Sequence, residues 1–373
     1  MKILLINHYA GSPNLGMEFR PYYVTKGWVK LGHEVLIVGG SYSHLRKVQP
    51  QSCEEMIDDV RYRWVKVNPY KGNGIGRIIS MFSFVTKLYC NYRRYLRNFK
   101  PDIVIASSTY PLDIYPAYRI ARHYHAKLIY EVHDLWPLSP MELGGYSKKH
   151  PFIRIMQKAE DDCYRYADAV VSMLPKAEEH MREHGLTRDK FHYVPNGIVL
   201  SDWNNPKGIP EEHGLLLSKL RAEGKFIVGF AGAHGIANSL YAVIDAVSSL
   251  TEQNVVLVLV GGGQEKENLI KYAHKKGVTN VYFLLPINKL AIPNLLKEMD
   301  VLYIGLQKQS LFRFGISPNK MFDYMMAAKP IIQAIDAGNN LVREADCGID
   351  VEPDNVSAVS YTHLRAHETR HDL

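Results

Sequence analysis

Val255-Val-Leu-Val-Leu-Val260 is an apolar run with no polar interruption. A strand with one wet face alternates. A strand that is apolar throughout is covered on both faces, as in a parallel sheet flanked by helices. Parallel neighbours need a crossover between them, usually a helix, and the chain supplies that alternation twice. In the first half, Lys2–Asn7, Val35–Val38, Asp102–Ser107, Lys127–His133 and Ala169–Ser172 read as strands. Helices are expected up to about Leu31 and over Arg77–Lys100, Phe152–Tyr166 and Pro175–Glu183. In the second half, Phe226–Ala231, Val255–Val260, Val281–Leu285, Val301–Ile304 and Ile331–Ala334 are the strands, with a helix over Leu240–Leu250. Residues 191–198 are expected to end in a turn, and 201–223 to be a polar linker with a lead-in helix. The chain of 373 residues therefore reads as α/β, with two doubly wound, Rossmann-like domains over 1–200 and 201–355 and a cleft between them.

A hydrophobic content of 46% and a charged content of 22% exclude a disordered chain. No apolar run approaches the roughly 18 residues of a membrane span. Met1–His8 turns polar too soon for a signal peptide and reads as a first buried strand. Cys53, Cys90, Cys163 and Cys347 are scattered without metal spacing, so a reducing cytoplasm without disulfides is expected.

The net charge of +7 is unevenly placed. Residues 1–200 hold 28 Lys and Arg against 19 Asp and Glu, whereas residues 201–373 hold 17 against 19. Residues 60–101 contain ten basic residues and no acid, with aromatics between them. That excess favours an anionic partner. Within Arg77–Lys100, apolar residues recur every three or four positions from Ile78 to Phe99, bordered by Lys87, Arg93, Arg94, Arg97 and Lys100. Such a helix can lie in a membrane interface; packing of the stripe on the sheet is the competing reading. A nucleic acid is not expected, because no recognition module is present.

Three loops carry the chemistry. Phe314–Pro330 joins a glycine-bearing loop to a helix that starts at Ser317-Pro-Asn-Lys320, with Asp323 one turn on. Proline suits a helix start. Free N–H groups there attract an anion, and Lys320 adds a charge. Asp323 can accept hydrogen bonds from hydroxyls, so phosphate and hydroxyl recognition stand side by side. A capped surface helix without a ligand is the competing reading. Gly232-Ala-His-Gly235 follows the first strand of the second half, and a loop with Gly11 and Gly16 follows the first strand of the first half. Gly261-Gly-Gly263 lacks the end of a dinucleotide fingerprint and reads as a strand-to-helix turn. His133 and Asp134 close a strand in Glu131-Val-His-Asp-Leu-Trp-Pro137, where ligands of open parallel sheets bind.

Residues 356–373 do not fit this pattern. Tyr361–Leu373 has no apolar period, and it resembles translated adapter sequence appended to a truncated gene. The tail is set aside as non-native, and His363, His367 and His371 are not read as a metal site. No metal ligands are assigned anywhere in the chain.

Taken in order, Gly32-His-Glu-Val35, Glu131–Pro137, Val194-Pro-Asn-Gly197, Gly232–Gly235, Asn280-Val-Tyr-Phe283 and Ile316–Tyr324 resemble glycosyltransferase family 4, of GT-B fold, over nearly the whole chain to about residue 355. The nearest branch resembles amino-sugar transferases of O-antigen or capsule assembly. The resemblance implies two domains facing a central cleft, the C-terminal end of the second being truncated. It implies retaining transfer of a sugar, expected to be an N-acetylated hexosamine, from a nucleotide donor, expected to be UDP-linked, to a lipid-linked saccharide. It assigns His133 and Asp134 to the reacting sugar. Gly232, Ala233, His234, Gly235, Leu285, Ser317, Pro318, Asn319, Lys320 and Asp323 go to the donor. Gly11, Gly16 and Arg20 belong to the N-domain loop. From the basic helix, Arg93, Arg94, Arg97 and Lys100 are expected to face the membrane or acceptor, with the protein peripheral on the inner face of the cell membrane. Two departures concern the donor. The first of two family glutamates falls on Gly315, and a lysine common after the 232–235 loop is replaced by Ile236–Leu240. The amino-sugar branch also usually has arginine where this chain has His133. No Asp-x-Asp occurs in the chain, so no cofactor and no metal are expected, and the leaving diphosphate falls to backbone N–H groups and Lys320. A nucleotide-sugar epimerase on the same fold, or a non-catalytic scaffold subunit of a polysaccharide assembly complex, are the alternatives.

Overall fold

The computed structural model describes residues 1–357 apart from 73, 251 and 253. The tail from 358 onward, with His363, His367 and His371, lies outside the described residues. The chain divides into two compact units, the first Met1–Pro195 and the second beginning at Asn196.

The first unit is built on β1 (Lys2–Ile6), β2 (Glu34–Gly40), β3 (Glu54–Ile57), β4 (Val60–Val65), β5 (Ile103–Ala106), β6 (Lys127–Val132), β7 (Ala169–Ser172) and β8 (Phe191–Tyr193). They form one sheet in the order β3-β4-β2-β1-β5-β6-β7-β8. All neighbours are parallel except β3 and β4, which pair as a hairpin. That hairpin turns at Asp58 and Asp59, both left-handed, a conformation aspartate tolerates better than most residues. β4 alternates as a strand should: Val60, Tyr62 and Trp64 are buried between the half-exposed Arg61 and Arg63. Its period was hidden behind the count of arginines. β8 occupies the start of the segment 191–198, ahead of the turn expected at its end.

The second unit has β9 (Phe226–Ala231), β10 (Val255–Val260), β11 (Val281–Leu284), β12 (Val301–Gly305), β13 (Ile331–Ala334) and β14 (Gly348–Val351), in the order β11-β10-β9-β12-β13-β14. Every pairing is parallel. The apolar run of β10 is buried throughout, and its alternate residues serve two cores. Val256, Val258 and Val260 pack with Leu296, Met299 and Tyr324. Val255, Leu257 and Leu259 pack with Val243, Val247 and Leu269. Each such side chain contributes roughly 1.5–3 kcal/mol by burial, before chain entropy is subtracted.

The basic helix is shorter than its pattern. It spans Ile75–Tyr95, and its geometry already breaks at Asn91. Asn98 is left-handed, and Arg63 donates to the carbonyls of Tyr95 and Arg97. A cation bound to terminal carbonyls is a helix stop. Arg97 and Lys100 therefore lie beyond the helix, whereas Lys87, Arg93 and Arg94 stay on it. Ser80, Met81, Phe84, Val85, Leu88 and Tyr92 are its buried residues. Ile75, Ile79, Phe82 and Tyr89 are exposed along another side, of which the expected stripe had counted Phe82 and Tyr89 inward. The acid-free stretch 60–101 is also not acid-free in space: Arg61 pairs with Glu34 and Glu54, and Arg63 with Glu54. Among the described residues, no helix is long and apolar enough to cross a membrane.

Candidate active site

In each sheet the strand order reverses beside the first strand, between β1 and β5 and between β9 and β12. The loops beyond the carboxyl ends of those strands are where open parallel sheets hold ligands.

In the second unit, Gly232–Gly235 leaves β9 and is built against the glycines after β10. Gly232 N–H donates to the Val260 carbonyl at 3.0 Å, and His234 N–H to the Gly262 carbonyl at 2.8 Å. A Cβ on Gly261 would stand 1.9 Å from the Gly232 oxygen, and one on Gly263 2.4 Å from the His234 oxygen. Both glycines also have φ near +150°. The turn read from Gly261–Gly263 is thus the bed on which the 232–235 loop lies. Lys266 staples it, donating to the Gly261 carbonyl at 2.9 Å and the Leu284 carbonyl at 2.6 Å. The His234 side chain is buried beside Phe230 and Phe283. Burial, then Lys266 and Lys320, push its imidazole down to about 4. His234 offers the loop a backbone rather than a charged ring.

Lys320 belongs to this loop in space. Its Nζ lies 3.4 Å from where a Gly232 Cβ would stand, donates to Asn238 Oδ1 at 2.5 Å and sits 4.5 Å above the Phe230 ring. Desolvation there brings its ammonium down to about 7. The helix is Asn319–Met326, with Pro318 as its extended N-cap rather than its first residue. The loop before it is clamped. Asn196 donates to Ser317 from its N–H (to Oγ, 2.8 Å) and its side-chain amide (to the carbonyl, 2.6 Å), and Asn339 brackets Ile316 through both its amide atoms. Asn319 is exposed at the first turn. Asp323 is buried and its carboxylate is engaged by Lys289. The carboxylate expected to accept from hydroxyls is therefore already held in an ion pair that no sequence spacing announces, since Lys289 lies 34 residues upstream. Leu285 lies just past the end of β11, exposed, with its carbonyl facing His213 Nε2 at 2.9 Å. It offers an apolar surface, not a strand position.

In the first unit, His133 follows β6 and is buried. Its Nε2 lies 3.0 Å from Ser107 Oγ and 3.4 Å from Glu131 Oε2. Burial alone would lower its pKa, but the hydrogen bond and charge of Glu131, with Glu18, outweigh it and raise the imidazole. Glu131 goes the other way: burial is overcome by His133, Arg20 and the Ser107 hydroxyl, and the carboxyl is held well below its usual range. Arg20 is the first residue of helix Arg20–Lys30, not part of the loop before it. Its guanidinium donates to Glu131 at 3.0 Å and to the carbonyls of Pro195 and Val194 at 2.9 Å each. It positions the Glu131–His133 pair and is not open to a ligand. Gly11 and Gly16 shape the loop: Ser12 and Gly16 exchange backbone hydrogen bonds, and a Cβ on Gly11 would meet the Gly16 oxygen at 2.0 Å. Asp134 is exposed at the end of β6. Arg77, unassigned from sequence, donates to the Tyr9 hydroxyl at 3.1 Å and lies over the rings of Tyr9 and Trp136. Its signal was present as the first charge of the basic helix, but nothing in the spacing aimed it at Tyr9.

Residues 16–197 match the family model of the glycosyl transferase 4-like domain, and residues 225–368 that of glycosyl transferases group 1. The chain carries the two domains of a GT-B glycosyltransferase. The second match extends into the stretch set aside as non-native, beyond the described residues. The chain is 24% identical, over 215 residues, to the putative teichuronic acid biosynthesis glycosyltransferase TuaH of Bacillus subtilis. That alignment takes in 55% of this chain and 50% of the relative, so the chain spans about half the length of this curated protein. Among solved structures, Alr3699/HepE of Anabaena in complex with UDP and glucose shares the fold at a TM-score of 0.67 and 17% identity, over 100% of this chain and 91% of that one. Sucrose-phosphate synthase of Thermosynechococcus elongatus does so at 0.69 and 14%, over 98% and 90%.

Proposed function

We propose that the transferase moves a sugar with retention of configuration, an N-acetylated hexosamine from a UDP-linked donor, onto a lipid-linked saccharide in cell-surface polysaccharide assembly. The observation that carries the donor half is Lys320: a cation from a helix start laid against the Gly232–Gly235 backbone, with Asp323 one turn along the same helix. With the Gly232 and His234 N–H groups turned to the Val260 and Gly262 carbonyls, the N–H groups of Ala233 and Gly235 and the ammonium suit a diphosphate. Preorganised donors of this kind are worth a few kcal/mol each as charge grows on a leaving group. A diphosphate would also draw the Lys320 pKa back up, restoring its charge. Asp323 and Lys289 offer an acceptor and a donor for ribose hydroxyls. The UDP complex of the Anabaena protein supports the choice of base, and the name of the Bacillus relative supports a surface polysaccharide as product. On the first unit, His133 with its raised pKa and the exposed Asp134 are the groups for the reacting sugar. No metal enters this scheme, because Lys320 and backbone donors carry the charge.

The acceptor half rests on helix Ile75–Tyr95, whose exposed Ile75, Ile79, Phe82 and Tyr89 run toward Arg93 and Arg94. That arrangement suits the inner, anionic face of a membrane, with apolar side chains at the acyl boundary and arginines at headgroups. Co-sedimentation with anionic vesicles tests it: replacing Ile79 and Phe82 by serine and Arg93 and Arg94 by glutamine should abolish binding, and equal binding by both proteins rejects it. The donor test is a melting screen against UDP, GDP, ADP and their sugars in chelator. UDP at 100 times its dissociation constant should add about 2.7 kcal/mol of stability. A shift with no nucleotide, or only on adding Mg²⁺ or Mn²⁺, rejects the reading.

A further inference from the structure

Away from both strand-end sites, the first unit gathers a second set of titratable groups. Helices Pro151–Tyr166 and Glu178–Glu183 bring Glu160, His180 and His184 together. Glu160 is 1% exposed. Its carboxylate accepts from the Tyr164 hydroxyl at 2.9 Å and the Gln157 amide at 2.8 Å, and His180 Nε2 lies 3.3 Å from Oε1. His184 caps the second helix; its Nδ1 is 2.8 Å from Gln157 Nε2 and 3.1 Å from Asp161 Oδ1. The two imidazole centroids are 4.7 Å apart. One ligand atom from each of Glu160, His180 and His184 lies within 4.8 Å of the other two.

We propose that Glu160, His180 and His184 form a binding site for a divalent transition metal ion, zinc above all. The donor set decides the class: two imidazoles and one carboxylate suit Zn²⁺, whereas Mg²⁺ and Ca²⁺ take oxygen ligands. The distances fit. Ligands about 2.0–2.1 Å from a tetrahedral ion stand about 3.3 Å from one another, which is the separation of Glu160 Oε1 and His180 Nε2. The third atom, within 4.8 Å, needs a shift on the order of 1.5 Å, within reach of a rotation of the half-exposed His184. The i, i+4 spacing of His180 and His184 turns both rings to one side. Asp161 beside His184 is the carboxylate partner that metal-bound histidines commonly keep. A pocket of about 650 Å³ opens on His180, His184 and Asp161, so an ion has a way in and the fourth position has room for water. Lys158 also lines it, with its ammonium paired to Asp162 at 3.0 Å. The ion would tie a six-residue helix, too short to hold itself, to a sixteen-residue one. The site shares no residue with the donor loop and does not draw on the transferase reading.

The test uses the full chain, stripped with chelator and exchanged into metal-free buffer. ZnCl₂ is titrated against a chromophoric competing chelator, with melting followed in parallel. A companion protein has His363, His367 and His371 changed to glutamine, so that the tail cannot answer for the site. One equivalent of zinc should bind, micromolar or tighter, in both proteins and raise their melting temperature. His180→Gln and His184→Gln should each weaken binding about tenfold or more and remove that rise. His184 is half-exposed, so its variant should melt like the wild type without metal, which separates lost binding from lost folding. Zinc binding that survives both substitutions, binding that vanishes with the tail histidines, a matching response to Mg²⁺, or no stoichiometric binding at all overturns the proposal.

Discussion

Replacing Arg20 by methionine keeps the aliphatic stem of the side chain and removes its guanidinium. The pair it breaks is buried on both sides, with Arg20 and Glu131 side chains 6% and 9% exposed at 3.0 Å. The same change deletes the two 2.9 Å hydrogen bonds to the carbonyls of Val194 and Pro195. Removing one partner of a buried pair costs about 3–5 kcal/mol, because the survivor stays charged and dry. In a unit of about 195 residues each kcal/mol moves the melting temperature by about 2–4 °C, so a fall of about 6–20 °C is expected. Urea and thermal denaturation followed by circular dichroism measure it. Glu131→Gln in the Arg20→Met background should recover part of the loss, since the stranded charge is then gone. A coupling of about 1–3 kcal/mol is expected for groups in contact.

The same cluster makes a pH statement with two signs. Glu131 is held below the ordinary carboxylate range, so its contribution is present above the unfolded value, about 4.3, and is lost as pH falls toward its folded value. His133 is raised above 6.5, so its contribution is complete below 6.5 and is lost as pH rises through its folded value. The wild type should therefore lose stability above pH 6.5, and Glu131→Gln should lose less over that window because the imidazolium has lost its partner. A cost below about 1 kcal/mol for Arg20→Met, or an unchanged alkaline slope in Glu131→Gln, would refute the buried-pair argument.

Donor binding should take up protons near neutral pH, since free Lys320 titrates at about 7 and a bound diphosphate raises it. Calorimetry of UDP binding in buffers of different ionisation enthalpy reads this, and Lys320→Met should abolish the uptake. Asp323→Ala should raise the dissociation constant for the donor by about 10–100-fold, the worth of one charged hydrogen bond, whereas Lys289→Met should cost less; equilibrium dialysis with UDP-sugar decides the order. Gly263→Ala places a Cβ 2.4 Å from the His234 oxygen, so it should shift the 232–235 loop and remove nucleotide-dependent stabilisation while costing about 1–3 kcal/mol itself. His133→Ala should leave donor affinity within about threefold and lower turnover, a split that steady-state kinetics resolves.

The strands that position both candidate sites were legible because their pattern is local. Val255–Val260 and Phe226–Ala231 are apolar end to end, and their bounds match the observed strands residue for residue. The strands that were missed lie toward sheet edges. β3 and β4 carry the exposed Glu54 and the half-exposed Glu55, Arg61 and Arg63, and β14 is Gly-Ile-Asp-Val. These strands are only partly buried, so their apolar signal is weaker. The site shows the same division. Lys320 and Asp323 were legible because helix and loop sit together in sequence. Lys289 against Asp323, Asn196 against Ser317 and Arg20 against Glu131 were not, for these pairs are separated by 34, 121 and 111 residues. No local spacing encodes them. They exist because parallel strands bring their carboxyl ends to one edge.

The basic stretch shows why a run of charge must be read through the fold. Counted along the chain, residues 60–101 are cationic without relief. In space the run is cut into three pieces that meet different neighbours. Arg61 and Arg63 stand on β4 beside β3 and β2, which bring Glu54 and Glu34 across to them. Arg77 turns to Tyr9 and Trp136 at the strand ends. Arg63 also spends two of its hydrogen bonds on stopping the helix, which puts Arg97 and Lys100 off it. Lys87 donates to the Lys66 carbonyl, so what remains for an anionic surface on the helix is Arg93 and Arg94, roughly 2 kcal/mol at about 1 kcal/mol each. Charge of that size gives weak, salt-sensitive attraction. The exposed Ile75, Ile79, Phe82 and Tyr89 then decide the matter, since apolar burial supplies what two arginines cannot, and only a surface offering both kinds of contact would hold this helix.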